Sequence, residues 1–340
     1  MRAPPRSHSA AFYASTAEFV TGVRAFVDQA LDQAEPVLIA APGAAIRLLQ
    51  RHLDGHGRQV SWADITEAGT NPARLIPLID AFASSHPGRP VRCVTQPLWN
   101  ARTAEQRRET IRHEALINLA FLDVPVSILC PYDAARLDAG TVAAAEQTHP
   151  VIIRNESAQP GPGYDPATVL PPECDGPLEP APAEAAVLAY RDDLRTVRAF
   201  TAGQASNAGT GPGRANDLVI AISELAANTY RHTSAGGTLA IWVTADELIC
   251  QLQDTGHITN PLAGRRRPAP DVGGGQGMWV AHQLCDLVEI RSSPAGTQIR
   301  VHTGLRPAGR PTALPAGPRH HQWRQQQRRR WHRREANRRR

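Results

Sequence analysis

A carboxylate and an amide one helical turn apart are the residues of this sequence best suited to chemistry. Glu224 and Asn228 lie within residues 214–232, where the positions predicted to be buried recur at spacings of three and four: Leu218, Ile222, Leu225 and Thr229. This spacing predicts an amphipathic helix with Glu224 and Asn228 on a different face. The Asn228 amide oxygen suits Mg²⁺, and the Glu224 carboxylate could polarise a hydroxyl for attack on a phosphate. An isolated E-x-x-x-N pattern is, however, more often an exposed polar face.

Two downstream motifs could complete a nucleotide site. Asp254-Thr255-Gly256 ends a predicted strand, where the carboxylate could accept a hydrogen bond from an adenine amino group and the glycine would admit the base. The run GGGQG at 273–277, which includes Gly274, Gly275 and Gly277, leads directly into an apolar helical segment. Glycine-rich loops that enter a helix present backbone N–H groups to anions. Arg265 precedes this loop in a basic segment, 264–268, that is expected to be mobile and could close over phosphates.

Composition excludes several classes of protein. The chain contains no lysine, so a Walker A phosphate loop is excluded and phosphate must be held by arginine, backbone N–H groups or metal. Five scattered cysteines without a C-x-x-C pair suggest neither a disulfide framework nor a thiolate zinc site. Residues 317–340 hold ten arginines and one glutamate, so the remaining chain has a net charge of −4. We therefore expect a mildly acidic body and a disordered, arginine-rich tail over 307–340.

The first half of the chain alternates continuous apolar runs with amphipathic stretches, which predicts an α/β domain with a parallel sheet over 8–155. The predicted strands are 37–40, 60–62, 91–94 and 126–130, and the predicted helices are 19–31, 44–53, 72–84 and 103–119. The strand-to-helix turn at 41–44 lacks G-K-[ST] and is expected to be an ordinary turn. His113-Glu114 is no zinc-protease motif, because Ile117 stands where H-E-x-x-H requires histidine. His113 is expected to be solvent-facing or structurally hydrogen-bonded.

This region resembles the MEDS (DcmR-type sensory) domain over about 150 residues. The motifs that carry the resemblance are His8 with Tyr13, Ala41-Pro42-Gly43, Pro97-Leu98-Trp99, His113-Glu114-Ala115-Leu116 with Asn118, and Cys130-Pro131-Tyr132-Asp133. The resemblance implies a RecA-like sheet that senses a small molecule or a partner rather than hydrolysing ATP.

A proline-rich stretch separates this domain from the next. Eight prolines between residues 159 and 183 cannot sustain a helix or a central strand, so 156–183 is predicted to be an extended, stiff linker. Beyond it, 184–306 alternates helical segments with two predicted hairpins, 238–253 and 287–302. Helices on one side of antiparallel hairpins predict an α+β sandwich.

The second domain resembles the GHKL ATPase superfamily and, within it, the anti-sigma-factor serine kinases, over about 120 residues. Glu224 and Asn228 match the N-box, Asp254 and Gly256 the G1 box, and Gly275 and Gly277 the G2 box. Thr297 matches the family's adenine-side threonine. The resemblance implies ATP and Mg²⁺ as cofactors, with Asn228 as metal ligand and Glu224 as catalytic base. Two positions depart from the family's pattern: Ile258 replaces the second glycine of D-x-G-x-G, and Met278 replaces the usual leucine.

These features predict a cytoplasmic, ATP-binding regulatory protein that phosphorylates a serine on an anti-anti-sigma (STAS) partner or sequesters a sigma factor, under control of the sensory domain. A small-molecule ligand of that domain and a homodimer are further expectations. An alternative is a nucleotide-switched binding module without phosphotransfer. No apolar run approaches the roughly 20 residues that cross a membrane, so no membrane contact is expected. Nucleic-acid contact by the tail is not expected either.

Overall fold

The computed structural model describes residues 7–53, 59–66, 68–98, 102–268 and 276–305, which form two domains around two separate sheets. The predicted tail at 307–340 lies outside the described residues. The N-terminal domain is an α/β unit and the C-terminal domain an α+β unit, which confirms the predicted fold classes. None of the described helices has the length and apolar character needed to cross a membrane.

The first domain is a seven-stranded sheet in the order β3-β2-β4-β5-β1-β6-β7. Its strands are β1 (Ser7–Tyr13), β2 (Val37–Ala41), β3 (Val60–Asp64), β4 (Val91–Thr95), β5 (Val126–Asp133), β6 (Val151–Arg154) and β7 (Ser157–Pro160). All neighbours pair in parallel except β6 and β7, which are antiparallel. Helices α1 (Thr16–Asp32), α2 (Gly43–His52), α3 (Leu75–Ser84), α4 (Ala104–Ala120) and α5 (Ala139–Thr148) connect them.

Two apolar cores lie on the two faces of this sheet. Burial on both faces explains why β2, β4 and β5 read as continuous apolar runs in the sequence. Strand β1 lies between β5 and β6, yet its serines and alanines give no such run, and it could not be predicted from hydropathy. Helix α4 begins at a capping box formed by Thr103 and Gln106, as the pattern T-x-x-Q favours.

The second domain is a five-stranded antiparallel sheet in the order β11-β12-β10-β9-β8. Its strands are β8 (Ala186–Tyr190), β9 (Gly237–Val243), β10 (Glu247–Asp254), β11 (Leu287–Ser293) and β12 (Gly296–Gly304). Helices α7 (Leu194–Asn207), α8 (Pro212–His232) and α9 (Gln276–Leu284) cover one face and share a single apolar core with the sheet. Both predicted hairpins are present, and β8 adds an edge strand that the sequence analysis did not identify.

The proline-rich stretch differs from the extended linker that the sequence predicts. Its first residues form β7, and a short helix α6 (Pro172–Asp175) packs against α4. Arg112 of α4 donates to the Cys174 carbonyl at 3.2 Å and to Asp175 at 2.5 Å. Further along, the Leu178 N–H donates to Gln298 of β12 at 3.2 Å. The prolines do prevent long regular elements, but the side chains of both domains hold the stretch against their surfaces.

Candidate functional site

Helix α8 presents the predicted catalytic pair on the face opposite its core. Proline at its first turn suits a position where backbone N–H groups need no intrahelical acceptor. Leu218, Ile222 and Leu225 are at most 1% exposed, as their spacing predicts. Glu224 and Asn228 are both partly exposed. Among the described residues, the Glu224 carboxylate forms no hydrogen bond or ion pair, so it is available to a substrate.

Asn228 lies directly against the start of α9. A methyl group at Gly277 would lie 2.8 Å from Nδ2 of Asn228 and 3.0 Å from the Glu224 carbonyl oxygen. A side chain at position 277 would therefore displace Asn228 or push the N-terminal end of α9 away from this face of α8. Oδ1 of Asn228, the oxygen that the GHKL resemblance assigns to Mg²⁺, accepts a hydrogen bond from Arg231 at 3.0 Å. Because Arg231 is exposed, its side chain can turn into solvent and free that oxygen for a metal ion.

Asp254 is fixed at the end of β10 by hydrogen bonds to both carboxylate oxygens. Thr229 Oγ1 donates to Oδ2 at 2.6 Å, and the Gly256 N–H donates to Oδ1 at 2.8 Å. Thr229 is in turn paired with the hydroxyl of Tyr190 at 3.0 Å. This network connects α8, β8 and β10 and orients the carboxylate that would recognise an adenine amino group. Sequence reasoning assigned Thr229 only to the buried face, although its position beside Asn228 was the available signal.

Thr297 completes the site from the neighbouring strand, where it stands directly across from Asp254. Its hydroxyl donates to the Gly256 carbonyl at 2.8 Å and pairs with Ser292 Oγ at 2.7 Å. The backbone N–H of Ile258 donates to the same Ser292 oxygen at 2.8 Å. Ile258 also packs at the edge of the apolar core, so the residue that departs from the family's pattern is accommodated by the fold.

The backbone at Gly256 lies close to the side chains of Asp254 and Thr233. A methyl group at Gly256 would lie 2.9 Å from Oδ1 of Asp254 and 3.0 Å from the Thr233 methyl. Together with the narrow contact at Gly277, this arrangement fits a nucleotide: a carboxylate acceptor at one end, an amide oxygen and a helix N-terminus at the other. The structure thus brings together Glu224, Asn228, Asp254, Gly256, Gly277 and Thr297. Gly274 and Gly275 lie outside the described residues.

Arg265 lies elsewhere, which corrects the prediction that it closes over phosphates from a mobile segment. Its side chain is 2% exposed, and its guanidinium donates to Glu109 of α4 at 2.8 Å. Arg291 of β11 donates to the other oxygen of Glu109 at 2.7 Å. Burial alone would raise the pKa of Glu109, but the charges of Arg291 and Arg265 hold it below its usual value. Arg265 therefore joins the two domains.

The C-terminal end of α9 is held by the first domain. Arg74 donates to the carbonyl of His282 at 2.8 Å and to that of Cys285, and Asn71 donates to the His282 carbonyl at 3.1 Å. The last carbonyls of a helix carry its negative dipole end, which a guanidinium stabilises. The helix that begins at the proposed phosphate site thus ends on residues of the N-terminal domain.

His113 differs from its prediction. It is completely buried, and neither ring nitrogen has a hydrogen-bond partner among the described residues, whereas the sequence predicted an exposed or hydrogen-bonded histidine. Burial lowers the pKa of His113 to about 3. The ring is therefore neutral at physiological pH and is a core residue.

Two protein-family models match separate parts of the chain. Residues 7–150 match the model of the MEDS family, the methanogen/methylotroph DcmR sensory domain, and residues 187–303 match that of the histidine kinase-like ATPase domain. The predicted order of a MEDS domain followed by a histidine kinase-like ATPase domain is confirmed. No curated protein matches the chain.

Among the 22 chains of solved structures that match are the RsbU and RsbW domains of Rv1364c from Mycobacterium tuberculosis. This match is 21% identical, with a TM-score of 0.29, and covers 38% of this chain and 34% of that one. The chain therefore spans about a third of the length of that structure.

Proposed function

We propose that the chain is an ATP-binding regulator in which the MEDS domain controls a serine kinase domain of the anti-sigma-factor type. The observation that supports this most is the convergence of Asp254, Asn228 and Gly277 on one face, at the ends of β10, α8 and α9. Bound ATP with Mg²⁺ would supply the transferable phosphoryl group. The partner would be a STAS-domain anti-anti-sigma protein, and sequestration of a sigma factor is a further role.

Each residue has a separate role in this proposal. The Asp254 carboxylate, oriented by Thr229, accepts a hydrogen bond from the adenine amino group. The Thr297 hydroxyl fixes the backbone at Gly256. Asn228 offers its amide oxygen to the metal, and the N–H groups at the start of α9 bind phosphate oxygens. Glu224 is the catalytic base, because its carboxylate accepts the proton of the attacking serine hydroxyl.

Control by the MEDS domain would act through the contacts around α9. Glu109 holds Arg265, which precedes the glycine-rich segment, while Arg74 and Asn71 hold the end of α9 that follows it. A change in the N-terminal domain that moves α4 or residues 71–74 would shift the phosphate-binding end of the kinase domain. A small molecule could produce such a change from a cavity of about 410 Å³ lined by Phe12, Tyr13, Phe19 and Pro131 among others.

Nucleotide binding is tested by isothermal titration of the purified full chain with ATP in the presence of Mg²⁺. We expect saturable one-to-one binding that weakens at least tenfold in Asn228→Ala and when EDTA replaces Mg²⁺. Asn216→Ala, three turns earlier on the same helix, is the matched control and should bind as the native chain does. A native chain that gives no heat of binding would contradict the proposal.

Phosphotransfer is tested by incubating the chain with γ-labelled ATP and candidate STAS-domain proteins. We expect label on a serine of one partner, and Glu224→Ala should abolish the transfer while ATP affinity stays within about twofold of the native value. Label transfer separates this function from the alternative, a nucleotide-switched binding module. Partner binding that depends on ATP, without any transfer of label, would favour that module.

A further inference from the structure

Four side chains that commonly ligate metals meet in the core of the MEDS domain. They come from four different elements: His8 from β1, Glu114 from α4, Cys130 from β5 and His149 from the end of α5. All four are buried, with exposures of 6% or less. One ligand atom from each lies within 4.8 Å of every other.

Three of the six separations between these ligand atoms match those of a tetrahedral site, and none exceeds 4.8 Å. Oε2 of Glu114 lies 3.0 Å from Nε2 of His8, 3.3 Å from Nε2 of His149 and 3.4 Å from Sγ of Cys130. Sγ of Cys130 lies 3.5 Å from Nε2 of His8. Four-coordinate zinc, with bonds of about 2.0–2.3 Å, sets its ligand atoms about 3.3–3.7 Å apart. Only the His8 contact is shorter than that range.

In both His8 and His149, a hydrogen bond at Nδ1 leaves the lone pair of Nε2 directed into the cluster of four side chains. The Asn118 amide N–H₂ donates to the Thr148 carbonyl at 2.8 Å, so its oxygen faces Nδ1 of His8 at 3.0 Å and accepts a hydrogen bond from the ring N–H. Nδ1 of His149 donates to the carbonyl of Ala145 at 2.7 Å. Both rings in their neutral form therefore carry hydrogen on Nδ1 and present Nε2 as an acceptor, the arrangement that supports metal-bound histidine.

A bound cation would stabilise this cluster, because the buried carboxylate of Glu114 otherwise faces electron-rich groups. Two imidazole lone pairs and a thiol surround one carboxylate oxygen in the core, and no arginine among the described residues donates to Glu114. Nε2 of His149 makes no directed hydrogen bond to the described residues. When both rings are neutral, the donors to this carboxylate are the Cys130 thiol at 3.4 Å and the Tyr132 hydroxyl, and neutral donors offset the cost of a buried carboxylate only in part. One carboxylate and one thiolate would balance a divalent ion, with two neutral imidazoles completing its shell.

We propose that His8, Glu114, Cys130 and His149 form a closed site for one zinc-type divalent transition-metal ion. Thiolate and imidazole ligands favour such ions over Mg²⁺ or Ca²⁺. On binding, the Cys130 S–H proton passes to solvent as the sulfur–metal bond forms, with no change of oxidation state. Four protein ligands leave no open position for a substrate, so the ion stabilises the sensory domain. This inference does not depend on the proposed kinase activity.

The native chain provides the first test. Full-length protein purified without chelator should hold about one zinc per chain by elemental analysis. Protein produced in zinc-depleted medium with Co²⁺ should show the visible absorption of tetrahedral, thiolate-bound cobalt. Native protein that holds no stoichiometric metal under either condition would overturn the proposal, whatever any variant does.

Matched cysteine variants provide the second test. Cys130→Ala should lose the thiolate-to-cobalt absorption, whereas Cys93→Ala, equally buried on the neighbouring strand β4, should keep both absorption and stoichiometry. Asn118→Ala, which removes the acceptor behind His8, should lower metal affinity about 10–100-fold while one ion still binds. Equal absorption in the two cysteine variants would show that the metal lies elsewhere and would overturn the assignment.

Discussion

Glu109 of the MEDS domain and Arg265 of the ATPase domain form a buried ion pair across the domain interface, with 2.8 Å between oxygen and nitrogen. The second oxygen of Glu109 binds Arg291 at 2.7 Å. One carboxylate thus pairs with two guanidiniums of the other domain, and one of them belongs to the segment that precedes the glycine-rich run.

Glu109→Gln should destabilise the chain because it leaves the buried guanidinium of Arg265 without its counter-ion and leaves Arg291 only the more distant Glu289, at 3.8 Å. Breaking one side of a buried ion pair typically costs about 3–5 kcal/mol. Urea denaturation followed by circular dichroism measures the change. Glu105→Gln on the same helix is the control, since Glu105 is 36% exposed and its pair with Arg108 should contribute less than about 1 kcal/mol. Equal effects of the two substitutions would contradict a special role for the interface pair.

Gly277→Ala should weaken ATP binding because the new methyl group would lie 2.8 Å from Asn228 Nδ2 and push α9 away from α8. We expect at least a tenfold loss of affinity in calorimetry. Gly203→Ala, in the middle of α7 with no atom within 4 Å of the added carbon, should leave binding unchanged and raise stability by about 0.5–1 kcal/mol. If Gly277→Ala binds ATP as tightly as the native chain does, the close contact between α8 and α9 is not needed for binding.

Thr229→Val should selectively impair recognition of the base. Valine keeps the shape of threonine but cannot donate to Asp254, so the carboxylate loses its 2.6 Å hydrogen bond and its fixed orientation. We expect the preference for ATP over GTP to fall severalfold in competition binding. Thr201→Val on α7, whose hydroxyl bonds only within its own helix, is the control. A preserved preference would indicate that Asp254 is held adequately by Gly256.

The stability of the chain should decrease between about pH 6.5 and pH 9 through His302. Burial lowers its pKa, but hydrogen bonds from its ring to Glu247 at 2.9 Å and Glu289 at 3.1 Å raise it to about 9 overall. As pH rises, the unfolded chain therefore loses the proton of His302 before the folded chain does. The stabilisation from His302 is complete below the pKa of the unfolded state and is lost as pH rises through the pKa of the folded state. The full effect is on the order of 3 kcal/mol.

Denaturation across this pH range measures the effect of His302. His302→Gln should flatten the dependence, because glutamine does not titrate. Thr201→Val, which removes no titratable group, is the control and should leave the slope unchanged. If the native chain and His302→Gln lose stability in parallel between pH 6.5 and 9, another group is responsible.

The sequence by itself determined the periodic and local features of this protein. Apolar runs predicted the inner strands β2, β4 and β5, and spacings of three and four predicted α8 and its buried residues. These patterns are readable because one face or both faces of each element contact a core. The ATPase domain was predicted from the resemblance of the motifs at Asn228, Asp254 and Gly277 to the boxes of the GHKL superfamily, and residues 187–303 match the histidine kinase-like ATPase domain. Strand β1 escaped prediction because serine and alanine carry little hydropathy signal.

Only the tertiary structure decided which distant residues meet. Arg265 appeared to be a mobile phosphate ligand in the sequence, whereas burial against Glu109, 156 positions away, makes it an interface residue. The proline-rich stretch appeared free, whereas Arg112 and Gln298 hold it in place. The sequence suggested no thiolate zinc site, since His8, Glu114, Cys130 and His149 share no spacing. They meet only because parallel pairing places β1 beside β5 beneath α4, a juxtaposition that local sequence does not encode.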